Sequence, residues 1–107
     1  MQWTVAFLNE EIKGALDTLP PDIRASFQRI VELIQANGLE QIREPYLKHL
    51  EGPRWEMRLK GRSGIARAVY VTATGMRIVV VHVFAKKTQK TPRREIVQAL
   101  KNAKEVQ

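Results

Sequence analysis

The apolar positions of this chain keep a helical period through the first third and switch to a period of two past the middle, so helices precede strands. A short β-prone run, Trp3-Thr4-Val5-Ala6-Phe7-Leu8, comes first. Asn9 followed by Glu10 and Glu11 forms a helix N-cap with acids in the first turn, and Ile12, Ala15, Leu16 and Leu19 then recur at helical spacing. Pro20-Pro21-Asp22 breaks that helix and starts another. Ile23, Phe27, Ile30, Val31 and Ile34 fall at i, i+4, i+7, i+8 and i+11, one apolar stripe that Asn37-Gly38 closes. The prediction to this point is a strand followed by a helical hairpin.

From Leu39 to Pro53 the chain is polar and broken by Pro45, Gly52 and Pro53, a connecting segment with a short strand near Tyr46-Leu47-Lys48. Past Arg54, Trp55, Met57 and Leu59 alternate with Glu56, Arg58 and Lys60, which puts the apolar trio on a core face and the charged trio opposite. Gly61-Arg62-Ser63-Gly64 is a turn, Ile65 to Ala73 a second strand, Thr74-Gly75 a tight turn and Arg77 to Phe84 a third strand. That last strand is a run of valines ending in His82-Val83-Phe84 and discharges into Ala85-Lys86-Lys87-Thr88-Gln89-Lys90-Thr91-Pro92. Thr91-Pro92 caps a final helix with Ile96, Val97, Leu100 and Ala103 on its stripe. The order β-α-α-β-β-β-α over residues 1–107 predicts one α+β domain, a small antiparallel sheet with helices on one face. The other face is then open, and Arg67 projects to one side of the second strand while Ala66, Ala68 and Tyr70 project to the other.

Charge sharpens this picture. Residues 1–50 carry five Lys/Arg and seven Asp/Glu, whereas residues 51–107 carry thirteen against four, which makes −2 and +9 of the net +7. A basic half beside a near-neutral one favours a polyanionic partner, nucleic acid or an acidic protein. The chain has no cysteine and only two histidines, His49 and His82, so thiolate metal sites and disulfides are out of reach and no metal cofactor is expected. The first residues lack a signal-peptide pattern and no apolar run reaches membrane-spanning length, so a cytoplasmic protein is expected.

Converging cations are the candidate chemistry. Arg58 and Arg67 stand mid-strand, where an arginine must face solvent or a partner. Lys86, Lys87 and Lys90 follow at the strand's mouth, before a helix start whose N–H groups also favour anions, with Lys60 and Arg62 extending the basic surface. Glu56 is an acid among cations, readable as a general base or as an ion-pair partner holding Arg58. His82 reads as a satisfied, half-buried residue or as a proton donor. Trp3 and Trp55 read as core, and His49 has no partner visible in sequence.

Trp55-Glu56-Met57-Arg58-Leu59, Arg67-Ala68-Val69-Tyr70, and the phrase from His82 through Pro92 with its helix resemble the HigB branch of the RelE/ParE toxin superfamily. The likeness extends over nearly the whole chain, including the helical hairpin at Leu19-Pro20-Pro21-Asp22. It implies the toxin of a type II toxin–antitoxin pair, an mRNA interferase working in the ribosomal decoding site. The implied chemistry is metal-free attack of a ribose 2′-OH on the adjacent phosphate, giving a 2′,3′-cyclic phosphate and a 5′-OH. Partners implied are mRNA, the ribosome and an antitoxin with a helix-turn-helix domain, with a toxin–antitoxin heterotetramer among the expected assemblies. By position Arg67 and Lys87 match the family's cations at the scissile phosphate, and Arg58 a strand cation beside them. Several relatives carry a catalytic tyrosine or histidine after the basic loop, where this chain has Arg93 and Arg94. Glu56, and after it Glu44, are the candidate bases. The superfamily also holds gyrase-inhibiting toxins, and a member that binds RNA or antitoxin without cutting is a further alternative.

Overall fold

Strand β1 (Thr4–Phe7) leads into helix α1 (Glu10–Asp17), whose N-cap Asn9 accepts from the Ile12 N–H through Oδ1 at 2.9 Å. Helix α2 (Pro21–Asn37) follows, with proline in its first turn and Gly38 ending it at φ 91, a left-handed conformation suited to glycine. After a 3₁₀ turn (Leu39–Gln41) come β2 (Leu47–His49), β3 (Trp55–Gly61), β4 (Gly64–Ala73), β5 (Arg77–Lys86) and helix α3 (Arg93–Ala103). This computed structural model describes residues 2–42, 46–50, 52–86 and 90–106. Among them no helix is long and apolar enough to cross a membrane.

The five strands form one sheet in the order β1-β5-β4-β3-β2. It is mixed and not purely antiparallel, because β1 pairs with β5 in parallel while every other pairing is antiparallel. The physical reason is the helical hairpin: it carries the chain across the sheet and back, so the first and last strands run the same way. The predicted β-α-α-β-β-β-α order stands, with β2 added as the short strand of the connecting segment.

Helices cover both faces and not one. On the first face α1 and α2 press Ile12, Leu16, Ile23, Phe27, Ile30, Val31 and Ile34 onto Met57, Leu59, Ala66, Ala68, Tyr70, Ile78 and Val80. On the second, α3 lays Ala99 over Val69, Val71, Val79, Val81 and Phe84. Ile96, Leu100 and Ala103 are only half-buried. Beside α3 on this second face Glu56 and Arg67 are themselves buried and Arg58 half-buried, and the exposed positions are at the strand ends, Lys60 and Ile65.

A bulge in β5 sets what reaches that face. Val69 pairs with His82 but Tyr70 pairs with Val80, so Val81 is an extra residue. Strict alternation from Val79 and Val81 would send His82 and Phe84 into the α1/α2 core. The bulge instead turns His82, Phe84 and Lys86 to the α3 side, in cross-strand rows with Val69, Arg67 and Ile65. Asn102 of α3 fixes the bulge by donating from Nδ2 to the Val81 carbonyl at 2.6 Å.

Candidate functional site

The second face gathers the charged residues in register. Arg58 of β3 lies directly opposite Arg67 of β4, and Arg67 lies opposite Phe84 of β5. Glu56 is two residues from Arg58 on the same face, opposite Lys48 of β2 and Val69 of β4. Lys60, Ile65 and Lys86 make the next row. Two like charges directly opposite are unfavourable in an isolated sheet, so the arginine pair needs a counter-charge.

Glu56 supplies it. It is 1% exposed, and Arg67 6%. Arg67 Nε donates to Glu56 Oε1 at 3.0 Å, and the Thr91 hydroxyl donates to Glu56 Oε2 at 3.0 Å. The ion pair foreseen for Glu56 exists, with Arg67 and not Arg58 as its partner in that bond. Both carboxylate oxygens are engaged, so Glu56 is built as a hub that holds a strand cation with one oxygen and the end of the basic loop with the other. Thr91 accordingly does not cap α3: the N-cap position is Pro92, without a side-chain hydrogen bond. Among the described residues Arg67 spends only Nε on the protein, which leaves both Nη groups for a ligand.

Electrostatics follow from this crowding. Burial, and secondarily Arg58, hold the Arg67 guanidinium below the usual arginine range, with Glu56 opposing them. Lys86 is also pushed down, first by burial and then by Arg67, Arg58 and Lys48, against the pull of Glu56. Among the described residues, Arg58, Arg67, Lys48 and Lys86 thus share the surroundings of Glu56.

Of the other residues read from sequence, Lys60 is exposed at the end of β3, Arg62 is exposed in the β3–β4 turn, and Lys90 is exposed just before Thr91. Lys87 and Glu44 lie outside the described residues. His82 is satisfied and half-buried: its Nε2 is 2.7 Å from Glu95 Oε1, and its ring stacks on Phe84 with centroids 5.5 Å apart. Trp55 is not core; it is 37% exposed and tilts against His49, whose Nε2 lies 2.7 Å from the Gly52 carbonyl. Lys48 and Thr91 were not singled out in the sequence. Lys48 sits on an edge strand whose register cannot be read ahead, and Thr91 mimics a helix cap.

The sheet order, the helical hairpin and the single helix on the cationic face define a RelE-like fold. It superposes on a double arginine-to-alanine mutant of the E. coli toxin RelE in the free state, with TM-score 0.66 and 18% identity over 94% of this chain and 97% of that one. It also superposes on the archaeal RelE–RelB complex from Pyrococcus horikoshii, with TM-score 0.58 and 20% identity over 79% of this chain and 96% of that one. The chain belongs to the family described as Phage derived protein Gp49-like, which matches residues 15–104. No curated protein matches it in sequence.

Proposed function

We propose that this chain is the toxin of a type II toxin–antitoxin pair, in the HigB branch of the RelE/ParE superfamily, and that it cuts mRNA in the ribosomal decoding site. The observation that carries this reading is Arg67, held by Glu56 through Nε, with neither Nη group bonded among the described residues, directly opposite Arg58. The RelE-like fold and the Gp49-like family support it.

In this mechanism the ribose 2′-oxygen attacks the adjacent phosphorus, the bond from phosphorus to the 5′-oxygen breaks, and a 2′,3′-cyclic phosphate and a 5′-OH remain. A proton leaves the 2′-oxygen and another reaches the 5′-oxygen. Arg67 and Arg58 grip the non-bridging oxygens and stabilise the charge of the phosphorane, the contribution of fixed cations in a site with little water. Lys86 and Lys90 serve the leaving side, Lys60 and Arg62 hold the flanking backbone, and Lys87 is assigned to the scissile phosphate by its match to the family's cations alone. Glu56 takes the 2′-proton when the Thr91 hydrogen bond opens and otherwise positions Arg67. The residues suffice for charge stabilisation without a metal.

The partner is an antitoxin of helix-turn-helix type that silences the toxin in the cytoplasm, assembling with it as a heterotetramer. One of the similar solved structures is an archaeal RelE–RelB complex, which supports a protein partner. Growth arrest tests the site. Arg67→Ala is expected to relieve it, with a loss of about 10²-fold in cleavage. Since that change leaves Glu56 buried without its partner, the Glu56→Gln/Arg67→Gln double variant, which removes both charges, is the companion. Folded variants as toxic as the parent would refute the site. Intact messages with a DNA-damage response would point to gyrase instead.

A further inference from the structure

Helix α3 has a second charged surface that the cleavage site does not use. At ~100° per residue, Arg93, Lys104, Val97, Lys101 and Arg94 fall within about 100° of arc. All five are exposed, and Val97 in the middle of the ridge is 43% exposed. The opposite arc holds Ile96, Ala99, Asn102 and Ala103, which are buried or half-buried, and half-buried Leu100 flanks the ridge beside Arg93. Glu95, the helix's own acid, holds His82 with Oε1 at 2.7 Å from Nε2, and its Oε2 lies 3.8 Å from Nε of the exposed Arg94, a loose surface pair that leaves the ridge strongly cationic. Glu105 lies at the margin, past the helix.

The ridge differs in kind from the sheet face. It is a straight rod with cations at both ends, about 16 Å from Arg93 to Lys104 at ~1.5 Å per residue. Helix α3 reads RREIVQALKNA, so it offers no aromatic ring on which an unpaired base can stack. Rigid cations without a stacking platform fit a rigid phosphate array. A duplex supplies one, and in A-form RNA the phosphates and 2′-hydroxyls are what proteins contact.

We propose that the outer ridge of α3 is a binding surface for the backbone of double-stranded RNA, distinct from the sheet face where a single strand is cleaved. The ridge anchors the protein on structured RNA while the sheet face handles the flexible strand. Binding there is independent of sequence and does not require cleavage activity, so it stands or falls apart from the reading above.

The test is fluorescence anisotropy of the full chain with a short labelled RNA duplex and a single strand of the same length, across a salt series. The variants are R93Q/R94Q, K101Q/K104Q and all four together; glutamine keeps helix propensity, and all four positions are exposed. Each phosphate contact contributes roughly 0.7 to 0.9 to the slope of log affinity against log salt. The fourfold variant is expected to lose about 3 from the duplex slope and at least tenfold in duplex affinity, with each pair losing about half, while Arg67→Gln leaves the duplex slope in place. An unchanged slope in the fourfold variant would overturn the proposal. So would a parent protein that ignores the duplex, even if the ridge variants then lost an acidic protein partner.

Discussion

Glu56 is the residue on which the candidate site depends, because it is a carboxylate almost wholly removed from water with its two oxygens tied to different elements. Removing one member of a buried ion pair leaves an uncompensated charge. Glu56→Ala is therefore expected to cost about 3 kcal/mol in denaturant unfolding. A loss within experimental error would mean that the Arg67 pair is not a buried one in solution. Lys86 gives a second residue-scale expectation. Its folded-state pKa is depressed, so the unfolded chain keeps this proton to higher pH than the folded chain does. In the window between that lowered value and the ordinary lysine value of 10.5, stability at this group rises with pH while the positive charge offered to phosphate falls. Under mildly alkaline conditions an acylating reagent is expected to label Lys86 before Lys101, and bound RNA to slow that labelling. Equal rates in the free protein would contradict the depressed value.

At the scale of elements, the β5 bulge and α3 act as one device. The bulge turns His82, Phe84 and Lys86 outward, and Asn102, Glu95 and Thr91 then fasten α3 and the segment before it to Val81, His82 and Glu56. Asn102→Ala strips the Val81 carbonyl of its donor and is expected to cost about 1 to 2 kcal/mol. Hydrogen exchange should quicken in α3 with the β3–β4 ladder unchanged; uniform quickening would show that α3 is not a separable unit. The two helical stripes were legible in the sequence because five apolar residues at i, i+4, i+7, i+8 and i+11 leave little choice, and all five of α2 are buried. Alternation likewise separated Glu56, Arg58 and Lys60 from the apolar trio of β3, and Arg67 from Ala66, Ala68 and Tyr70. The bulge was not legible, since a run of valines is apolar on both sides and carries no sign of where one residue is extra. For the same reason the sheet's second face read as open: α3 buries only Ala99 completely, and half-buried Ile96 and Leu100 do not say which layer they cover.

The whole molecule divides its charge as its sequence does. The near-neutral first half builds α1 and α2 over one face, and the basic second half builds the cationic face and the α3 ridge, so the positive charge gathers on the side of α3. Under the proposed function, that separation would place the fixed cations where a phosphorane's charge develops. The Gp49-like family and the RelE-like fold make a toxin the economical reading, and Arg67 makes RNA cleavage its sharpest form. The most direct test is to express the protein briefly in cells and map the 5′ ends of messenger RNA, with Arg67→Ala and the Glu56→Gln/Arg67→Gln pair alongside. New 5′-OH ends inside translated frames, absent in both variants, are the predicted result. Unchanged messages during growth arrest, or the same new ends in the folded variants, would contradict it.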